Sequence, residues 1–272
     1  ENGSLKMAIV GRPNVGKSTL FNTLLKEERS ITSPEPGVTR DSISVDWEWK
    51  GEKIKLYDTA GMRRNSRVKE KIEKLSIGDT LRAIKFSQVS VLLLDGTLMA
   101  ERQDLNIAEH IIEEGRALLI AVNKWDLITD RAAAIDKLND RLKRSLPQIR
   151  GVPIIRISAL NGFGVDRLMP AVKQIYNIWV MRLPTGPLNR WLENVIEDHP
   201  PPLLNGKRLR LRYITQIKGR PPTFVIFCSR PSKIPESYKR YLVNSLRETF
   251  SIDGVPIRLF MRGGKNPYSK IP

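Results

Sequence analysis

The sequence predicts an α/β domain built on a mostly parallel sheet, followed by a small α+β domain. Three observations carry this reading. Continuous apolar runs, chiefly residues 89–94 and 117–122, alternate with helix-like stretches over the first two thirds of the chain, as expected for strands covered by helices on both faces. The stretch "RLPTGP" then interrupts the alternation and places a boundary near Leu183, between residues 1–182 and 183–272. Beyond it, apolar residues alternate with arginine at the period of a half-buried strand. At 272 residues and 40% hydrophobic composition, the chain can supply two cores.

The elements follow in order. "LKMAIVG" (5–11) reads as a strand and "GKSTLFNTLL" (16–25) as a helix, with Leu20 and Leu24, and Phe21 and Leu25, one turn apart. "SVDWEWKGEKIKLYD" (44–58) is a hairpin turning at Lys50-Gly51, with Val45, Trp47 and Trp49 on one face. A strand at 90–95, a helix at 103–114, a strand in "ALLIAVNKWD", a helix reaching residue 144, a strand in "VPIIRISA" and a helix at 165–181 complete the first domain. The second holds a helix at 188–198, strands at 207–218 and 223–229, a helix at 235–250 and a strand at 256–262. Leu209, Leu211 and Tyr213 alternate with Arg208, Arg210 and Arg212, and Ile257, Leu259 and Met261 with Arg258, Phe260 and Arg262. One set is expected to pack on helices and the other to form a basic plate.

The chain carries 46 Lys/Arg against 29 Asp/Glu, unevenly spread. Residues 183–272 hold 16 basic and 6 acidic side chains, net +10, against +7 for residues 1–182. The tail is therefore the expected polyanion-facing part. No apolar run approaches the roughly 20 residues that span a bilayer, so no membrane span is expected. No charged-then-apolar leader opens the chain, and Cys228 is the single cysteine. A reducing, cytoplasmic setting is expected, with Cys228 in "TFVIFCS" a core residue. Residue 1 is glutamate and a strand pattern begins almost at once, which suggests a fragment.

"GRPNVGKST" (11–19) satisfies Gly-x-x-x-x-Gly-Lys-Ser between a predicted strand and a predicted helix. The glycines let backbone amides curl around phosphate oxygens, and the helix N-terminus adds positive potential. Asn14, Val15, Gly16, Lys17, Ser18 and Thr19 are thus candidate nucleotide contacts, with Lys17 on the terminal phosphates and Ser18 on magnesium. "NKWD" (123–126) chooses the base. The Asp126 carboxylate can accept from guanine's ring N–H and exocyclic amine, a donor pair adenine lacks there. Asn123 is expected to brace the loops, and the Lys124 stem to lie along the base. Backbone amides of "SAL", Ser158, Ala159 and Leu160, are candidate donors to the guanine carbonyl.

Two segments are expected to sense the third phosphate of GTP and to relax in GDP. Asp58 suits an outer-shell magnesium contact and the Gly61 amide the terminal phosphate. "SPEPGVTRD" (33–41) offers the Thr39 hydroxyl as a magnesium ligand, preferred over its rival Thr32 because of the Pro-Gly before it. The residue after Asp-x-x-Gly is Met62, where many GTP-hydrolysing switches use a glutamine to orient water.

"GRPNVGKSTLFN", "PGVTRD", "DTAGMRR" and "NKWD", together with the closing "GGKNPY", resemble the second G domain and C-terminal KH-like domain of the Der family, also called EngA. The resemblance covers the whole chain. It implies a P-loop GTPase acting with magnesium in assembly of the large (50S) ribosomal subunit. Family members carry two G domains in tandem, so an upstream G domain would be missing here. GTPases of this group replace the glutamine with a hydrophobic residue, and several are stimulated by potassium. Asn14 matches the position that such relatives use to ligate the cation, the alternative being that it only shapes the loop. A cation there would neutralise developing charge as an arginine finger does, an effect of roughly 10³–10⁵ in rate. Lys17, Thr39, Gly61 and Asn14 are the expected catalytic set, with Met62 a water-excluding wall and Arg63 or Arg64 an alternative finger.

RNA-binding KH domains clamp backbone through Gly-x-x-Gly, and residues 183–272 contain none. What remains is the plate of Arg208, Arg210, Arg212, Arg258 and Arg262, suited to the phosphates of structured ribosomal RNA. Docking of the absent G domain is a competing use. Phe260 is the single aromatic expected beside the arginines. His110 and His199 lack companions at metal-ligand spacing. Two rival readings are an RNA-binding module that holds nucleotide without turnover, which Met62 favours, and a GTPase coupled to transfer-RNA modification, which shares Asn14.

Overall fold

A computed structural model describes residues 4–27, 44–58, 77–204 and 207–264. The chain divides into two compact units, residues 1–176 and 177–272. The division falls a few residues before the expected boundary, for a local reason. Leu183 N donates to Gln216 Oε1 at 2.7 Å and Gln216 Nε2 donates to Met181 O at 2.9 Å, so the residues before "PTGP" are already tied into the second unit.

In the first unit, the elements are β1 (Leu5–Val10), α1 (Lys17–Glu27), β2 (Ser44–Trp49), β3 (Glu52–Asp58), α2 (Ile77–Phe86), β4 (Val89–Asp95), α3 (Arg102–Glu113), β5 (Ala117–Asn123), α4 (Arg131–Ser145), β6 (Ile154–Arg156) and α5 (Leu168–Trp179), the last crossing the division. The sheet order is β2-β3-β1-β4-β5-β6. All neighbours are parallel except the β2–β3 hairpin. Every residue of β4 and β5 is buried, the signature of strands covered on both faces. β1 lies between β3 and β4, so successive connections leave it in opposite directions. This is the switch point whose carboxyl-end crevice receives ligands in open α/β sheets.

The hairpin turns where the sequence places it. Lys50 (φ 48°) and Gly51 (φ 81°) are both left-handed, as a two-residue hairpin turn demands. Trp47 is buried, whereas Val45 and Trp49 on the same face are half-buried. Helix α2 has no counterpart among the predicted elements. It buries Ala83 and Ile84 but leaves Leu81 and Phe86 exposed, so its apolar periodicity is short and broken.

The second unit holds α6 (Thr185–Asp198), β7 (Leu203–Leu204), β8 (Lys207–Arg208), β9 (Leu211–Lys218), β10 (Thr223–Cys228), α7 (Glu236–Phe250) and β11 (Arg258–Gly263). Its sheet order is β11-β10-β9, with β10–β11 parallel and β9–β10 antiparallel. The single strand expected at 207–218 is two pieces: β8 pairs with β7, and β9 starts afresh at Leu211. The pairing also slips, for Cys228 faces Leu211 while Phe227 faces Tyr213. Arg212 is the extra residue of this bulge. Consequently Ile214, paired with Ile226, is fully buried, and Tyr213 turns to the opposite face from Leu211.

No helix among the described residues is long and apolar enough to cross a membrane. Leu119, wholly buried in β5, tests the first core. Leu119→Ala is expected to lower unfolding free energy by about 3–5 kcal/mol, read as a reduced midpoint in urea denaturation followed by circular dichroism.

Candidate functional site

The carboxyl ends of β1, β4 and β5 and the loop after β6 converge on one cluster of loops. After β1 the chain forms a loop over residues 11–16 before α1 begins at Lys17. Gly11 and Gly16 are both required there. A Cβ on Gly11 would lie 2.5 Å from Leu93 O, and one on Gly16 would lie 2.3 Å from Asn123 Nδ2; Gly16 is also left-handed, at φ 97°. Lys17 is buried, and its Nζ donates to Gly11 O at 3.0 Å and Arg12 O at 2.7 Å. The ammonium is thus held against the inner wall of the loop. Val15 is buried, while Asn14, Ser18 and Thr19 are exposed; Asn14 is left-handed at φ 63°.

Asn123, the last residue of β5, ties three segments together. Its Nδ2 donates to Val15 O at 2.8 Å, and its Oδ1 accepts from Ala159 N at 2.8 Å. It is almost wholly buried, so each bond is made away from competing water. Lys124 follows with φ 59° and ψ 33°, and Asp126 lies exposed in the 3-10 turn Trp125–Leu127. Trp125 is no mere spacer: it is buried, and its backbone N donates to Ile157 O at 3.1 Å. Ser158 N is bonded to Phe163 O at 2.9 Å. Ala159 N is already on Asn123, so a ligand carbonyl arriving there shares that donor. Leu160 is 86% exposed. Thr23 of α1 adds a strut, its Oγ1 donating to Ala159 O at 2.8 Å.

Two charged groups escaped sequence reasoning. Arg12 donates through Nε to Asp104 Oδ2 at 3.0 Å and pairs through Nη1 with Glu101 Oε2 at 2.7 Å. It anchors the phosphate loop to the start of α3, where Glu101 and Asp104 also form a capping box. Burial pushes the Asp104 carboxyl above its ordinary range despite the Glu101 amide and Arg12. Asp95, closing β4, pairs with Lys124 at 2.6 Å. Burial raises its carboxyl, but hydrogen bonds from Lys124 and Thr97 outweigh this, and it titrates below the usual range. The Asp95 contribution to stability is therefore complete at neutral pH and is lost as pH falls through that lowered value. Arg12 lies inside the phosphate-loop motif, but neither Asp95, which closes an apolar strand, nor Asp104, at a helix start, belongs to a recognisable motif.

Of the remaining expected residues, Asp58 ends β3 beside Ile9 of β1, on the same sheet edge as the loop. Thr39 and its rival Thr32, Gly61, Met62, Arg63 and Arg64 lie outside the described residues.

In the second unit the arginines fall on different structures. Arg208 lies in β8, and Arg210 is an exposed linker residue between β8 and β9. Arg212 is the exposed bulge residue, and its Nη1 donates to Gly264 O at 3.0 Å. Arg258 and Arg262 are exposed on β11. The expectation that Phe260 stands alone is corrected. The register sets Arg262 beside Phe227, Phe227 beside Tyr213, and Phe260 beside Val225, so the period-two pleat puts Tyr213, Phe227 and Phe260 on one face with Arg258 and Arg262. The Tyr213 and Phe227 rings lie 6.4 Å apart, and Phe260 is 49% exposed. The bulge at Arg212 sets Tyr213 on the face opposite Leu211, while Phe227 and Phe260 reach that face through the β10–β11 register. Cys228 is buried, and His110 and His199 are exposed.

A phosphate-binding loop at a switch point, with an Asn-Lys-x-Asp loop bonded to it, followed by an α+β unit, defines a P-loop GTPase domain joined to a KH-like domain. Two family models match these parts: "50S ribosome-binding GTPase" over residues 6–124, and "KH-domain-like of EngA bacterial GTPase enzymes, C-terminal" over residues 182–262. The chain belongs to the Der family, also called EngA. It is 57% identical over 265 residues to GTPase Der of Parvibaculum lavamentivorans, covering 97% of this chain and 56% of that protein. GTPase Der of Brucella melitensis biotype 2 is likewise 57% identical over 265 residues, with 97% and 55% covered. The chain spans about half the length of these relatives. Among solved structures, Aquifex aeolicus Era bound to GDP.AlF4- covers 97% of this chain and 94% of its own, at 22% identity and a TM-score of 0.45.

Removing the central brace tests the site. Asn123→Ala deletes two buried bonds, together about 1–3 kcal/mol. GDP affinity, measured by competition against a fluorescent guanine nucleotide, is expected to fall roughly tenfold to hundredfold.

Proposed function

We propose that this protein binds and hydrolyses GTP and acts with the ribosome, in assembly of the large (50S) subunit in the cytoplasm. The observation that carries the nucleotide reading is Asn123, whose side chain bonds the phosphate loop at Val15 and the base-side loop at Ala159. A phosphate site and a base site joined this way suit one ligand that spans both.

In this reading the backbone of residues 14–19 wraps the phosphates at the N-terminus of α1. Lys17, preplaced on the Gly11 and Arg12 carbonyls, meets the terminal phosphates without reorganising, which is where electrostatic catalysis gains most. The exposed Asp126 carboxylate accepts from guanine N1–H and the exocyclic amine. The Ala159 and Leu160 amides of the "SAL" loop are the proposed donors to the guanine carbonyl, Ser158 N being bonded to Phe163 O, and Leu160 faces solvent. The exposed Ser18 hydroxyl in the first turn of α1 is a hard oxygen donor that fits magnesium, with Thr39 and, through its outer shell, Asp58 as the other holders. Magnesium held by these residues would supply positive charge to the phosphate oxygens. Water attacks the terminal phosphorus in line, the bond to the bridging oxygen breaks, and GDP and phosphate leave. The Gly61 amide follows the terminal phosphate, and Met62 excludes bulk water instead of orienting the nucleophile.

Asn14 offers an amide oxygen at the exposed crest of the loop, a donor type that fits potassium. Turnover is expected to be faster in potassium chloride than in matched sodium chloride, with the difference abolished by Asn14→Ala. Equal rates in both salts would remove potassium from the mechanism, and binding without turnover in either would favour a nucleotide-holding module.

The ribosomal part of the proposal is supported by the net +10 of residues 183–272 and by the arginine and aromatic face of β9–β11. Phosphate contacts from Arg208, Arg210, Arg212, Arg258 and Arg262 would be salt-sensitive, and the exposed Phe260 ring, with the half-buried Tyr213 and Phe227, would add stacking surface for bases. Arg258→Glu with Arg262→Glu is expected to lower co-sedimentation with purified 50S particles at least tenfold at low salt and to flatten the salt dependence. Unchanged co-sedimentation would move the contact elsewhere.

A further inference from the structure

Lys124 is held in a conformation that lysine rarely adopts. Its φ of 59° and ψ of 33° are left-handed, which costs on the order of 1–2 kcal/mol for a residue with a Cβ and persists where the surroundings over-determine it. On the backbone side, Leu127 N donates to Lys124 O at 3.0 Å, and Trp125 N to Ile157 O at 3.1 Å. On the side-chain side the restraint is Asp95. Its Oδ2 takes the Lys124 ammonium at 2.6 Å, and its Oδ1 takes Thr97 N at 2.9 Å and Thr97 Oγ1 at 2.6 Å. The Asp95 side chain is 8% exposed and that of Lys124 35%.

The segment 95–97 is shaped to the loop opposite. Asp95 is the register partner of Asn123 across β4 and β5. Gly96 N donates to Asn123 O at 2.8 Å, and a Cβ at residue 96 would lie only 2.8 Å from that same oxygen. Thr97 fixes the Asp95 rotamer. With the ammonium tied to protein, what Lys124 can present to a ligand is its methylene stem.

We propose that Asp95, clamped by Thr97, is a positioning residue of the base site: it pins the Lys124 ammonium, so that the lysine stem forms an apolar floor for the purine ring. This inference rests on the guanine-nucleotide reading above. It assigns Asp95 a task distinct from that of Asp126. Asp126 distinguishes one purine from another, whereas Asp95 supports any purine equally.

The test uses the full chain and measures GDP and IDP affinity by competition against a fluorescent guanine nucleotide. IDP keeps the ring N–H but lacks the exocyclic amine. Asp95→Asn is expected to weaken GDP and IDP by the same factor, about tenfold, and Asp95→Glu to recover part of the loss. Lys124→Met combined with Asp95→Asn should bind no more weakly than Lys124→Met alone, a non-additivity that a general structural defect does not give. If Asp95→Asn does not fold, Thr97→Val should show a smaller loss, again equal for both nucleotides. Affinities within twofold of wild type, additive losses, or a changed GDP-to-IDP ratio would overturn the assignment while leaving the nucleotide reading intact. Failure of the unaltered chain to bind either nucleotide would overturn both.

Discussion

The first unit depends on one buried amide. Asn123 stands where β5 ends, and its two polar atoms reach in opposite senses, donating to Val15 O and accepting from Ala159 N. Three loops that are far apart in sequence thereby share one side chain. The close fit explains the demand for glycine at residue 16, since a Cβ there would occupy the space of Asn123 Nδ2. It also explains why a loop cluster, ordinarily the most mobile part of a domain, can hold a fixed geometry: its hydrogen bonds are internal and shielded from water.

Charge in this region is buried with hydrogen-bonding partners. Lys17 lies on carbonyls, Asp104 on Arg12, and Asp95 on Lys124 and Thr97. A buried ion left alone would incur several kcal/mol of desolvation, so each of these groups has a partner that also fixes its direction. The two carboxylates resolve the same competition differently. For Asp95, hydrogen bonds outweigh burial and keep the carboxyl acidic; for Asp104, burial wins. Two of the left-handed non-glycine residues, Asn14 and Lys124, lie in these loops, where over-determined surroundings can sustain the strain.

In the second unit β9 carries two extra residues, Ile217 and Arg212, and the one at Arg212 decides which face Tyr213 joins. Without the slip at Arg212, Tyr213 would continue the inward series of Leu209 and Leu211. With it, Ile214 takes the inward position against Ile226, and Tyr213 joins Phe227 on the outer face. Strand periodicity is exact, so one extra residue inverts everything after it. Tyr213 thereby joins the face on which Phe227 already stands beside Arg262.

The sequence by itself determined the class of fold, the place of the phosphate loop, the hairpin turn at Lys50-Gly51 and the order of the motifs. These are local properties: continuous apolar runs, glycines at strained positions, and fixed spacings within one loop. Tertiary structure alone decided the rest. Arg12 finds Asp104 and Asp95 finds Lys124 across 92 and 29 residues, and no periodicity announces a pairing between distant segments. Helix α2 was illegible because Leu81 and Phe86 stay exposed and break its apolar face, and the bulge at Arg212 because a register is a relation between strands. A sequence states what each segment prefers, whereas packing decides which segments meet and with which faces.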